Sequence, residues 1–198
     1  MAHRIVRLTF DDGPCPATTP QLLDHLGRYR LKATFFVVGQ NIACSEGQAI
    51  LEKIALDGHQ IGNHSYSHGN LTAMTAKQIE DEIKQTESLI GSLDHGIKLF
   101  RPPYGLYNPL VDQIVRDLGY QLVLWNVTSL DWKKYYWNRR WVSHTMRQIK
   151  PRQDCIVLAH DVWPSTVAFF PELVSAIQKL PDTEFCQLNH QMDRTHTF

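Results

Sequence analysis

Short β-rich runs alternate with helical segments along the whole 198-residue chain, which predicts an α/β fold: a distorted or shortened (β/α) barrel of about seven parallel strands. Three observations carry that expectation. The alternation shows no internal repeat and no convincing linker; strand–helix–strand connections of this kind run parallel and right-handed; and the length leaves too little chain for eight full βα units.

Taken in order, Ile5–Phe10 alternates apolar and polar residues until Asp11-Asp12-Gly13-Pro14 ends it, the period-two pattern of a strand. Pro20 marks the first turn of a helix, where a missing N–H costs nothing. Ala33–Val38 and Gln60–Asn63 are the next strands, with Ser45-x-x-Gln48 between them read as a capping box. Thr75-x-x-Gln78 is a second capping box, flanked by Met74 and Ile79 as a hydrophobic staple. Lys98–Arg101 is a short strand, and Asn108-Pro109 opens a helix that Gly119 closes. Gln121–Val127, Cys155–Ala159 and Glu184–Leu188 complete the strands, with Trp125 expected in the core. Trp137 and Trp141, four apart, are expected on one helix packed against the barrel. Residues 1–190 form one domain in this reading, and 191–198 a loose tail.

Composition narrows the function classes. Lys plus Arg and Asp plus Glu each number 20, so no electrostatic footprint points to nucleic acid or to an anionic membrane. No apolar run has the length of a membrane span, and Met1-Ala2-His3-Arg4 leads straight into the first strand without a signal peptide, so the expected location is cytoplasmic. The four cysteines lack any Cys-x-x-Cys pairing and are expected as reduced thiols.

Chemistry concentrates at the strand ends. Neighbouring residues on a strand point to opposite sides, so Asp11 and Asp12 suit two different jobs, one holding a cation and the other taking a proton; the bland alternative is an acidic turn. His64 and His68 are four apart, and on a helical turn their β-carbons would lie about 5–6 Å apart, close enough to share one ion. Two imidazoles and one carboxylate match a catalytic zinc site with open positions, although cobalt, nickel and manganese suit the same donors. Among ten histidines a solvated pair is the commoner outcome, and His190 and His196 receive no role. In Arg101-Pro102-Pro103-Tyr104-Gly105 the prolines hold the backbone extended and leave the Tyr104 N–H without a ladder partner, a candidate oxyanion donor. Asp131 lies just beyond one strand and His160 at the end of another. Asp11, Asp12, His64, Arg101, Asp131 and His160 all fall at the carboxyl ends of expected strands, where parallel barrels build their sites.

The ordered set Thr9-Phe10-Asp11-Asp12-Gly13-Pro14, His64-Ser65-Tyr66-Ser67-His68, Arg101-Pro102-Pro103-Tyr104-Gly105, Leu130-Asp131-Trp132 and Leu158-Ala159-His160-Asp161 resembles the five motifs of the polysaccharide deacetylase family, the NodB-homology domain of carbohydrate esterase family four. The resemblance runs from about Ile5 to Leu188. It implies that Asp11 is the general base, that Asp12, His64 and His68 bind the metal, and that Arg101 orients the base. It further implies that the Tyr104 N–H is the oxyanion donor, that Asp131 tunes His160 as general acid, and that Leu158 and Trp132 wall the acetyl pocket and groove. Two departures bear on substrate preference: Thr128 stands where many members carry an acid, and Cys15 follows the first motif where a small polar or imidazole side chain is usual.

The implied activity is a metal-dependent N-deacetylase on an N-acetylglucosamine-containing oligo- or polysaccharide, with Asp11 ionised, His160 protonated and a bell-shaped pH–rate profile. An O-acetyl esterase on xylan-like polymers, a small-amide hydrolase and a non-catalytic sugar-binding module are the alternatives. Trp132, Trp163, Tyr66, Tyr104 and Tyr107 lie on or beside motif loops and offer flat faces to a sugar, with burial in the core the competing fate. Cys15, three residues past Asp12, raises a separate expectation that its sulfur approaches the metal, against the commoner outcome of an inert thiol. Oligomeric state is not legible from the sequence.

Overall fold

In the computed structural model, which describes residues 3–93 and 96–188, β1 (Arg4–Asp11) is the strand around which everything else is arranged. Its alternation sorts side chains into two sets: Val6, Leu8 and Phe10 enter the core beneath the helices, while Arg7, Thr9 and Asp11 take the opposite face. Helix α1 (Thr19–Tyr29) leads to β2 (Thr34–Val37), and the short α2 (Gly39–Ile42) and α3 (Ser45–Leu56) lead to β3 (Gln60–Asn63). Next come α4 (Ala76–Ile90), β4 (Leu99–Phe100), α5 (Pro109–Asp117), β5 (Gln121–Leu122) and β6 (Val127–Thr128). The described chain ends with α6 (Arg140–Ile149), β7 (Asp154–His160), α7 (Pro164–Gln178) and β8 (Thr183–Phe185). Every strand pair is parallel, in the order β5-β4-β3-β2-β1-β7-β6, with β8 added beside the first residues of β1.

The expected distorted barrel is therefore present, and the extra strand has a physical origin. Gln121–Val127, expected as one strand, is split into β5 and β6, which lie at opposite edges of the curled sheet. Residues 123–126 cross between those edges: the Val123 N–H donates to the Phe100 carbonyl and the Asn126 N–H to the Ile156 carbonyl. The barrel is closed at this seam by the chain itself and not by a ladder of hydrogen bonds.

Two apolar layers hold it. Outside the sheet, β1, β2 and β7 pack on α1, α3, α6 and α7 through Leu22, Leu26, Phe35, Ile54, Trp141, Val157 and Phe170. Inside the barrel, Phe36, Leu99, Val123, Ile156 and Leu188 form a smaller core. Gly62 is required here, because a Cβ on it would run into the Phe36 ring on the neighbouring strand.

Most expected helix ends are present. Pro20 lies in the first turn of α1, the Thr75/Gln78 capping box opens α4, and Asn108 caps α5, which ends at a left-handed Gly119. The Ser45 box is not formed. Cys44 occupies the cap, its sulfur accepting from the Gly47 N–H, and Ser45 is already helical. Trp137 also departs from expectation: it precedes α6 and is 40% exposed, whereas Trp141 on that helix is fully buried. The four cysteines are free thiols. Residues 191–198, with His190 and His196, lie outside the described residues. Among the described residues no helix is long and apolar enough to cross a membrane.

Candidate functional site

Asp11 ends β1 on the interior face, paired in register with His160 at the end of β7. Strand alternation would carry the next carboxylate to the far side of the sheet. Asp12 instead has φ 74°, a left-handed turn that returns its side chain to the same mouth. Its neighbour Gly13 is confined to glycine because a Cβ there would collide with the buried Asp161 carboxylate.

The Asp12 carboxylate faces two imidazoles. Its Oδ1 lies 3.4 Å from His64 Nε2 and 3.1 Å from His68 Nε2. One donor atom from each of the three residues falls within 4.8 Å of the others, so that all three can address one ion. The spacing of four would let a helical turn bring the two histidines together, but the structure does it without a helix. They sit on a non-helical loop after β3, and Ser65 and His68, with φ 66° and 57°, bend it so that both rings point inward. His64 Nδ1 donates to the Arg101 carbonyl at 2.6 Å, which turns Nε2 toward Asp12. Cys15 is not part of this cluster.

Behind the cage lies Arg101, fully buried. Its Nη1 donates to Asp11 Oδ1 and to Thr9 Oγ1, both at 2.7 Å, and Nε and Nη2 donate to the Val123 and Leu124 carbonyls, both at 3.1 Å. The guanidinium also lies over the Phe36 ring, 4.1 Å from its centroid. One side chain thus satisfies two carbonyls of the seam and fixes one oxygen of Asp11. Burial pulls the guanidinium pKa down, and the Asp11 carboxylate works against that pull.

On the opposite side, Asp131 is a buried hub. Its Oδ1 accepts from His160 Nδ1 at 2.7 Å and from Ser129 Oγ at 2.8 Å, while Oδ2 accepts from the His160 N–H at 2.8 Å and from Thr166 Oγ1 at 2.6 Å. Burial alone would push the His160 imidazole down, but the Asp131 carboxylate, with Asp12 and Asp11 behind it, pushes it up to about 9. Asp131 itself is driven up by burial, and the charge and hydrogen bonds of His160, Thr166 and Ser129 hold it below the usual carboxylate range. His160 Nε2 is left facing the mouth, 3.9 Å from Asp12 Oδ2.

The rim completes the arrangement. Tyr104 has φ 61° and is 61% exposed, its ring edge-on to His68 with centroids 4.8 Å apart. Among the described residues its N–H meets no acceptor, whereas the following Gly105 and Leu106 N–H groups donate to Pro102 and Pro103. Trp132 stands edge-on to His160 at 5.0 Å, and buried Leu158 lies two residues before His160 on the interior face of β7. Trp163 is half-buried beside Trp137, with ring centroids 6.2 Å apart. Tyr66 is half-buried and Tyr107 is exposed, and Trp125 packs partly into the inner core. Sequence reasoning missed Thr9, Ser129 and Thr166. Thr9 was within reach, because it shares the Asp11 face of β1, but the other two needed the tertiary structure.

A cation suits this cage on structural grounds. Asp12 Oδ1 is buried and takes no hydrogen bond among the described residues, although two imidazole nitrogens face it. Burial raises the Asp12 carboxyl, yet His64, His68 and His160 together hold it well below the usual range, so the donor is ionised.

Fold and site together define an α/β barrel whose mouth gathers three residues able to hold a metal ion, Asp12, His64 and His68, between a buried Asp–Arg pair and a buried His–Asp pair. The chain belongs to the polysaccharide deacetylase family, whose model matches residues 1–123. It is 34% identical over 168 residues to the peptidoglycan-N-acetylglucosamine deacetylase of Listeria monocytogenes, covering 84% of this chain and 34% of that protein. It is also 34% identical over 163 residues to a chitooligosaccharide deacetylase from a Bradyrhizobium species, covering 81% of this chain and 72% of that one. A family 4 carbohydrate esterase from Streptomyces lividans, solved in complex with acetate, superposes with a TM-score of 0.77 at 30% identity and 90% coverage of each chain. The chain spans about a third of the Listeria protein's length.

Proposed function

We propose that this chain is a metal-dependent hydrolase that removes acetyl groups from the nitrogen of N-acetylglucosamine units in an oligo- or polysaccharide, releasing acetate. The observation that carries the reading is the convergence at one mouth of Asp12, His64 and His68 with Asp11 on one side and His160 on the other. The names of the Listeria and Bradyrhizobium relatives support acetylated amino sugars as the substrate class.

In this mechanism Asp12, His64 and His68 hold one divalent ion, zinc in our assignment, with cobalt, nickel or manganese as substitutes. Bound there, it supplies Lewis acidity and lowers the pKa of water. Asp11 accepts the proton of the attacking water through Oδ2, because Arg101 occupies Oδ1 and holds the carboxylate aimed at the mouth. The Tyr104 N–H, which meets no acceptor among the described residues, receives the negative charge that develops on the acyl oxygen. His160 gives its Nε2 proton to the departing amine, which could not otherwise leave. Asp131 keeps that proton in place until the bond breaks. Leu158 and Trp132 wall the acetyl group, and Trp132 and Trp163 offer ring faces to the sugar.

The test measures acetate release from acetylated chitooligomers, acetylated xylan and small amides in parallel, with zinc-loaded and chelator-treated protein. Release from the chitooligomers, lost on chelation and in Asp11→Asn, is expected. Release only from xylan or small amides moves the scissile bond to an ester or a simple amide. Sugar binding without release from any substrate makes the chain a binding module.

A further inference from the structure

The loop that carries His68 is held from outside the cage by a residue to which nothing above gives a role. Glu82, half-buried in the second turn of α4, accepts from the Tyr66 N–H at 2.9 Å and the Ser67 N–H at 2.8 Å through Oε2, and from Ser67 Oγ at 2.7 Å through Oε1. Three further backbone N–H groups of the loop are also taken: His64 by the Val37 carbonyl at 2.9 Å, Ser65 by Asn63 Oδ1 at 2.9 Å and His68 by Ser65 Oγ at 3.1 Å. From the other side, the Gly39 and Gln40 N–H groups donate to the Ser65 and Tyr66 carbonyls. Asn63 is fastened in turn, its Nδ2 donating to the Ile83 carbonyl of α4.

This bracing has work to do. Two non-glycine residues of the loop, Ser65 and His68, occupy the left-handed region, at a cost of about 1–3 kcal/mol each unless the surroundings over-determine it. Glu82 supplies the only ionised acceptor among these contacts, and charge-assisted bonds to backbone N–H groups are roughly twice as strong as neutral ones. Its carboxylate does not belong to the Asp12–His64–His68 cluster. It acts on His68 through the backbone.

We propose that Glu82 is a positioning residue for the cation cage: by pinning Tyr66 and Ser67 it holds His68 at the distance from Asp12 and His64 at which three donors meet one ion. The inference rests on the reading of that cage as a metal site. Partners that orient metal ligands typically contribute 10–100-fold to affinity, and this is the expected scale.

The experiment titrates zinc into the chelator-stripped protein against a chromophoric competitor, alongside thermal melting of the metal-free forms. Wild type is expected to bind one zinc and His68→Ala to lose it; a wild type that binds none overturns the cage reading itself. Given wild-type binding, Glu82→Ala is expected to weaken zinc by roughly tenfold or more. Glu82→Gln, whose amide oxygen can still accept from both N–H groups, is expected to restore most of the affinity. Equal affinities in wild type and Glu82→Ala overturn the proposal, as does a Glu82→Gln variant no better than Glu82→Ala. Should Glu82→Ala not fold, Glu82→Asp retains the charge but withdraws it by one methylene, and unchanged affinity there is equally fatal.

Discussion

Replacing Asp131 by Asn tests the acid side of the proposed mechanism with little change in shape. The carboxylate now receives four hydrogen bonds, from His160 Nδ1, the His160 N–H, Ser129 Oγ and Thr166 Oγ1. An amide offers one oxygen, so two of those donors meet an NH2 group instead. The larger effect is electrostatic. With Asp131 the buried imidazole sits at about 9; with the countercharge gone, burial acts on it with less opposition and drives it toward or below its ordinary 6.5. That is a change of roughly two and a half units, or about 3 kcal/mol in the stability of the imidazolium. The acid must be protonated to act, so activity is lost as pH rises through its pKa. We expect the alkaline limb of kcat/KM on an acetylated chitooligomer to move down by about two units in Asp131→Asn, with zinc affinity measured in parallel. A folded, zinc-loaded variant whose alkaline limb coincides with that of the zinc-loaded wild type would refute His160 as the acid tuned by Asp131.

Three further outcomes follow from other parts of the structure. His59 is buried, accepts from the Ala33 N–H through Nδ1 and is pushed down to about 4 by burial and by Lys32, so it is neutral in the native state. The unfolded chain then binds more protons between about pH 6.5 and 4, and stability falls through that window by about 3 kcal/mol as pH drops; His59→Asn, which keeps an acceptor but does not titrate, should flatten that part of the urea-unfolding curve against pH. Gly62→Ala drives a methyl into the Phe36 ring on which Arg101 rests, and should cost about 1–3 kcal/mol together with turnover, read from unfolding midpoints and initial rates. Tyr104→Gly keeps the N–H and tolerates the left-handed backbone, so kcat should change little while KM rises; a collapse in kcat would show that the ring, and not the N–H, is the working group.

Much of this architecture could be read from residue patterns because it depends on local rules. The period-two run before Asp11, the Thr75 and Asn108 caps and the left-handed Gly119 are matters of backbone preference within a few residues, and they are present in the structure. That Asp12, His64 and His68 would be brought together could be read in the same way, since ligand chemistry restricts residue type. Geometry that depends on distant partners was not legible. Spacing of four lets His64 and His68 share a helical turn, yet the loop that actually carries them is set by Glu82, Asn63 and Gly39, which nothing near the histidines announces. The break within Gln121–Val127 is invisible for a similar reason: the run is a good strand locally, and only closure of the barrel pulls its two ends to different edges. Cys44 displaced Ser45 as a cap because the helix begins one residue earlier than the pattern suggested.

The seam at residues 123–126 has a consequence beyond topology. Two of its carbonyls depend on the guanidinium that also fixes Asp11, so resistance to unfolding and chemical competence reside in one side chain and cannot be tuned apart at that position. Arg101→Lys, with a single ammonium in place of a planar fork, is expected to lose about 3–5 kcal/mol along with activity, because seam oxygens and a buried carboxylate are both left wanting. Any attempt to harden this protein against heat would therefore do better to fasten the gap between its two sheet margins elsewhere, at Val123 or Asn126, and leave the cationic plug untouched.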